Sequence, residues 1–231
     1  MNEQPYVSSQ ICVLKTDKKL VAFYDKLRVA SVYNYSQLHA DGEYMENNRK
    51  VRSLIGITLL DYSQGTGQNT VTVKANLLPD EIFYIFSRLQ AGFPVFEFRQ
   101  DKIFGNKDEN GYSSATKLSI TRNTQDYKGE PLRIPWKITM ENGKGIAVKN
   151  QTGGTYMQKN SFQCTAKASI SITDADMFVL LNRVTRYITM WMITVSPSLI
   201  SNGKNAMQAA LMQKQQALQT QASYQEDGYA A

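Results

Sequence analysis

Histidine occurs once in this chain of 231 residues and cysteine twice. A lone His39, set in the polar stretch "SQLHADGEYMENNRK", excludes a histidine-based triad or a His-rich metal site built within one chain. It reads as an ordinary surface residue. Cys12 and Cys164 each lie in an alternating apolar run, with no CxxC spacing and no Cys/His cluster. That pattern points to two buried free thiols in a reducing compartment rather than to a disulfide. The glycine patterns GxxxxGK[ST], GxGxxG and GxSxG are missing, and "SQGTGQN" and "QTGGT" join strand to strand, where they cannot seat a phosphate on a helix start. The carboxylate pairs Asp80/Glu81 and Asp174/Asp176 fall at helix starts, where capping accounts for them better than acid–base work. The expectation is a protein with no catalytic residues, no metal ligands and no cofactor.

Long apolar runs are also lacking. The most apolar stretch, "YITMWMITV" at Tyr187 to Val195, falls far short of the ~20 residues of a membrane span. "MNEQPYVSSQ" carries neither a basic region nor an apolar one of the kind an export signal needs. The expected location is cytoplasmic, with no membrane partner.

What the chain does have is alternation. In "KKLVAFYDKLRVASVYNYS", Val21, Phe23, Leu27 and Val29 share one face of a bent strand, and Tyr24, Lys26 and Arg28 share the other. "RSLIGITLLD" is a second strand and "TVTVKANL" a third, with Val71, Val73, Ala75 and Leu77 inward. Pro79 opens a helix whose first turn carries Asp80 and Glu81 and whose buried stripe is Ile82, Phe83, Ile85, Phe86 and Leu89. "AGFP" stops it. The second half repeats the order: "PVFEFRQ", "ATKLSITRN", "LRIPWKITM" and "GIAVKN" read as strands, the last two joined by a hairpin at Asn142-Gly143. "CTAKASISI" follows, with Cys164, Ala166, Ala168, Ile170 and Ile172 on one side. Thr173 with Asp176 three residues on resembles a capping box, Asp standing in for the usual Glu or Gln, and opens the second helix.

Aligning Glu81 with Asp176 sets Ile82, Phe83, Ile85, Phe86, Arg88 and Leu89 against Met177, Phe178, Leu180, Leu181, Arg183 and Val184. The expected fold class is α+β, with two tandem ββββα-like repeats, about 11–92 and 93–195, in one domain spanning 1–195. Residues 196–231 are expected to add a Gln-rich helix, with Met207, Leu211, Lys214 and Leu218 at helical intervals, and a flexible acidic tail, "SYQEDGYAA".

The size suffices for a real core without staples. Lysine and arginine number 26 against 20 acidic residues, a formal charge of +6, which suits a polyanionic partner. The non-core strand faces carry Tyr24, Lys26, Arg28 and Lys74 in the first half and Lys117, Arg133, Lys137, Lys149 and Lys167 in the second. Solvated strands use lysine routinely to blunt edges. Thirteen tyrosines accompany these cations, among them Tyr33, Tyr35 and Tyr156 near strand ends or in loops. Cations that track phosphates beside rings that stack on unpaired bases are the chemistry of single-strand binding.

Two strand-rich units, each closed by a helix on a basic chain, together with the short stretch "NGKGIAV", resemble the Whirly-type single-stranded DNA-binding proteins and their phage and mobile-element relatives. The resemblance covers about Leu20 to Val195. It implies crossed ββββα sheets with packed helices, a homo-oligomer, and sequence-tolerant binding of single-stranded DNA in replication, recombination or DNA transfer. The polar insertion from Ala40 to Arg52 and the Gln-rich tail depart from that family. A short acidic end is also similar to those through which single-strand-binding proteins recruit replication or recombination partners. RNA binding on the same fold, a phage or plasmid assembly protein, and an enzyme with a site shared between subunits are the alternatives.

Overall fold

The computed structural model describes residues 8–29, 32, 44–46 and 49–227. In chain order the strands are β1 (Gln10–Lys15), β2 (Lys19–Lys26), β3 (Tyr44–Glu46), β4 (Arg49–Val51), β5 (Leu54–Asp61) and β6 (Val71–Leu77), then helix α1 (Pro79–Gln90). They continue as β7 (Val95–Phe104), β8 (Ser113–Asn123), β9 (Trp136–Gly145), β10 (Ala147–Lys149), β11 (Thr155–Met157) and β12 (Gln163–Ile172), then helix α2 (Asp174–Asp227). The fold is α+β. One antiparallel sheet has the order β1-β2-β5-β6 and a second β12-β9-β8-β7; β3-β4 and β10-β11 are two-stranded hairpins.

The chain divides into two compact units: residues up to Lys26 with Leu54–Ile188, and Leu27–Ser53 with the chain from Thr189 onward. The first unit holds both four-stranded sheets, α1 and the start of α2. Its core consists of one face of each sheet with the helices laid on them. Phe23, Ile57, Val73 and Leu77 come from the first sheet, Leu118, Ile120, Ile138 and Met140 from the second, and Ile82, Ile85, Met177, Leu181 and Val184 from the helices, all buried. Alternation every second residue and every third or fourth produces those faces, as the strand and helix periods require. Aromatic contacts link the layers: Tyr84 to Phe96, Phe96 to Trp136, and Phe86 to Phe178, with ring centroids 5.7–6.0 Å apart.

Both helix starts are tied down by side chains. Leu78 N–H donates to the Glu81 carboxylate at 2.6 Å, and Gln100 of β7 donates to the same group at 2.8 Å. At α2, Asp176 N–H donates to Thr173 Oγ1 at 3.1 Å, the N-cap half of the box expected from the sequence, while the Asp176 carboxylate accepts from the Thr173 hydroxyl at 2.6 Å rather than from its backbone N–H. Asp174 accepts from Arg122 Nε and Nη2, each at 2.9 Å, and from Trp136 Nε1 at 2.7 Å. α1 ends where Gly92 adopts a positive φ of 70°, which the missing Cβ permits.

The structure corrects several local expectations. Asn142-Gly143 makes no hairpin: β9 runs straight through both residues, paired to β8 on one side and β12 on the other. Gly143 serves close packing instead, since a Cβ there would lie 2.0 Å from the Gln163 carbonyl oxygen, beside the register shift between Cys164 and Ala166. The bent strand expected beyond Lys26 stops there, and Val29 is exposed. β1 had left no sequence signal beyond the alternation around Cys12. Cys12 is buried, and burial pushes its thiol up to about 11. Cys164 is exposed, and the register shift between it and Ala166 breaks the alternation that would have put the two on one side. Phe83 belongs to the expected stripe of α1 yet is exposed, lying at the stripe's edge beside Ile82. α2 is continuous through Pro197. Among the described residues no helix is long and apolar enough to cross a membrane.

Candidate nucleic-acid interface

The side of the first sheet that faces away from the core is built by the strand register. Tyr24 pairs across Gly56 to Asn76, Ala22 across Thr58 to Lys74, and Leu20 across Leu60 to Thr72. β1 adds Val13 and Lys15 opposite Ala22 and Leu20. Paired residues project to the same side, so Lys15, Lys26 and Lys74 share it with Tyr24. No carboxylate stands on this face among the described residues. A depression of about 400 Å³ lies over it, lined by Tyr24, Lys26, Gly56, Thr58, Thr72 and Lys74 among others.

Gly56 shapes that depression. A Cβ there would meet Lys26 Cε at 3.0 Å and Tyr24 Cβ at 3.4 Å, so the lysine stem lies across the bare backbone beside the tyrosine. Lys26 Nζ donates to Asn76 Oδ1 at 2.9 Å, and Lys102 of β7 donates to the Asn76 carbonyl at 2.8 Å. Burial, and then the nearby charge of Lys74, hold the Lys26 ammonium below the ordinary lysine range. Two close cations without a carboxylate, beside a half-buried ring, form a site that an added anion would relieve.

The corresponding face of the second sheet has a different electrostatic character. Its register lines up Lys167, Glu141, Lys117 and Asp101 in one row, and Ser169, Thr139, Ser119 and Arg99 in the next. Lys167 is paired with Glu141 at 2.7 Å, and that hydrogen bond raises the lysine's pKa. Lys117 lies 4.6 Å over the Phe162 ring. Lys137 is exposed one row further on, opposite Ser171 and Thr121. A shallow hollow of about 440 Å³ lies here too, but Asp101 and Glu141 line it along with Arg99 and Lys117. Alternating signs leave this face close to neutral.

The remaining candidates are dispersed. Lys149 and Tyr156 are exposed on the β10-β11 hairpin, and Arg133 on the segment between β8 and β9. Arg28 belongs to the other unit, where its N–H donates to Ser53 Oγ at 2.7 Å. Tyr33 and Tyr35, like His39, lie outside the described residues. The structure therefore brings together Tyr24, Lys26 and Lys74. It adds Lys15, Lys102, Asn76 and Gly56, none of which the sequence marked as part of a site.

No protein-family model matches the chain, and neither a curated protein nor a solved structure matches it.

Proposed function

We propose that the chain is a non-catalytic, sequence-tolerant binder of single-stranded nucleic acid, DNA foremost, and that the outer face of the first sheet is its contact surface. The observation that carries this reading is the convergence of Lys26, Lys74 and Tyr24 on one depression with no acidic residue lining it among the described residues. Lysines neutralise phosphates and release counterions, and a ring at the same place stacks on a base of any identity. Duplex reading ordinarily places a basic helix in a groove, and α1 carries Arg88 as its one cation against Asp80 and Glu81.

Two antiparallel four-stranded sheets, each followed in the chain by a helix, are the arrangement a Whirly-like tandem repeat would take. That supports placing the protein with replication, recombination or transfer of DNA, in a phage or mobile element. An assembly protein is the second reading, favoured by the apolar side chains left exposed along the distal part of α2.

Fluorescence anisotropy with labelled dT and duplex oligonucleotides at two salt concentrations tests the proposal. The expected result is tighter binding of dT, with affinity falling steeply as salt rises. Absence of salt-dependent binding to either oligonucleotide favours the assembly reading.

A further inference from the structure

The exposed apolar side chains of α2 beyond Ile188 follow a rule. Met190, Ile193, Ile200, Met207, Leu211 and Leu218 are each between 38% and 61% exposed and succeed one another at intervals of three, four or seven residues. These are the a and d places of one heptad frame, whose other seam places from 190 to 221 are Pro197, Lys204, Lys214 and Gln221. Among the described residues Met212 is the large exposed apolar residue off the seam. A mean spacing of 3.5 keeps a stripe facing another helix along a left-handed supercoil, whereas a stripe laid on a globular core follows 3.6. Every residue from Met207 to Gln219 is exposed. Within the same unit Val32 borders a groove of about 380 Å³ beside Gly203, Ala206 and Met207, yet Met207 and Leu211 stay about half exposed.

We infer that this stripe is a dimerisation seam on which the α2 helix of a second copy docks antiparallel. Charge decides the direction. In a parallel, in-register pair Lys204 would face Lys204 and Lys214 would face Lys214 within the seam, and like charges opposed in an interface cost affinity. An antiparallel pair whose twofold axis passes between residues 205 and 206 sets Ile193 against Leu218 and Ile200 against Leu211. Lys204 then meets Met207, and Lys214 meets Pro197. Each lysine faces an uncharged side chain along which its stem can lie while the ammonium reaches water. Such a pairing is isologous, so the layers repeat on both sides of the axis. Six side chains about half exposed offer on the order of 600 Å² per copy, so the pair buries on the order of 1,200 Å², the lower bound of stable interfaces. The inference stands independently of whether the first sheet binds nucleic acid.

Light scattering on the full-length chain after size exclusion tests the pairing, and disulfide trapping tests its direction. A dimer is expected at micromolar concentration, with Leu211→Asp raising the dissociation constant about a hundredfold, since that residue enters two layers. In a Cys164→Ser background, mild oxidation of Ile193→Cys/Leu218→Cys should give covalent dimers, and either cysteine alone should give none. A monomer at every concentration, or cross-linking by the single-cysteine variants, overturns the inference. Helical circular dichroism of each variant verifies that a loss of dimer is not a loss of fold.

Discussion

Asn142 holds the backbone of Lys74 through both ends of its carboxamide: Lys74 N–H donates to Oδ1 at 2.8 Å and Nδ2 donates to the Lys74 carbonyl at 2.7 Å. This is the double hydrogen bond a neighbouring strand would make, supplied by one side chain of the second sheet to the edge strand of the first. It joins the two sheets at the residue whose side chain carries a cation of the candidate interface. Asn142→Ala should cost about 1–2 kcal/mol of stability, measured by denaturant unfolding, and should weaken single-strand binding. Asn142→Asp should fare no better, because a carboxylate cannot donate to the Lys74 carbonyl. Unchanged stability in both variants would contradict this role.

The closeness of Lys26 and Lys74 predicts a pH dependence. Since the pKa of Lys26 is lowered by burial and then by Lys74, affinity for single strands should fall as pH rises through that lowered value, ahead of the ordinary lysine range. The sign for folding is opposite: a folded-state pKa below the unfolded one means that stability rises as pH passes through the lowered value. Removing the neighbouring charge with Lys74→Ala should move the binding inflection to higher pH. An inflection at the same pH in both proteins would show that the two lysines are not coupled.

Asp174 anchors the start of α2 to the second sheet through Arg122 and Trp136. The hydrogen bond from Arg122 is the first cause of its lowered pKa, so its stabilising contribution is present above the ordinary aspartate range and is lost as pH falls through the lowered value. Asp174→Asn leaves the nearly buried Arg122 without its counter-ion and should cost roughly 2 kcal/mol at neutral pH. The difference from wild type should shrink toward acid pH. A constant difference across the acid range would locate the effect elsewhere.

Alternation made most strands legible in the sequence, along with the inward residues of β6 and the cap of α2. Asn142-Gly143 shows where that reading fails. The dipeptide is a strong local signal for a turn, but its conformation is decided by Gln163, whose carbonyl occupies the space of a Cβ at Gly143, and no local pattern reveals that approach. Gly143→Ala should therefore force β9 and β12 apart, with a fall in thermal midpoint larger than that of Gly153→Ala, where the added Cβ meets no atom and costs only the strain of a φ of 82°. Comparable falls would mean that β12 yields easily. The lysines were equally ambiguous from sequence: Lys74 and Lys167 both face away from the core. Cross-strand register alone sets Glu141 beside Lys167 and leaves the Lys26/Lys74 face without an acid among the described residues.

The claim that the first sheet, and not the second, contacts nucleic acid is tested most directly by comparing two variants in salt-dependent anisotropy with a dT oligonucleotide. One carries Lys26→Ala and Lys74→Ala, the other Lys117→Ala and Lys137→Ala, so both lose the same charge. The first should bind more weakly, with the slope of log affinity against log salt reduced by about 0.7 for each lysine removed, while the second should stay near wild type. Equal losses in the two variants, or a loss confined to the second, would contradict the assignment.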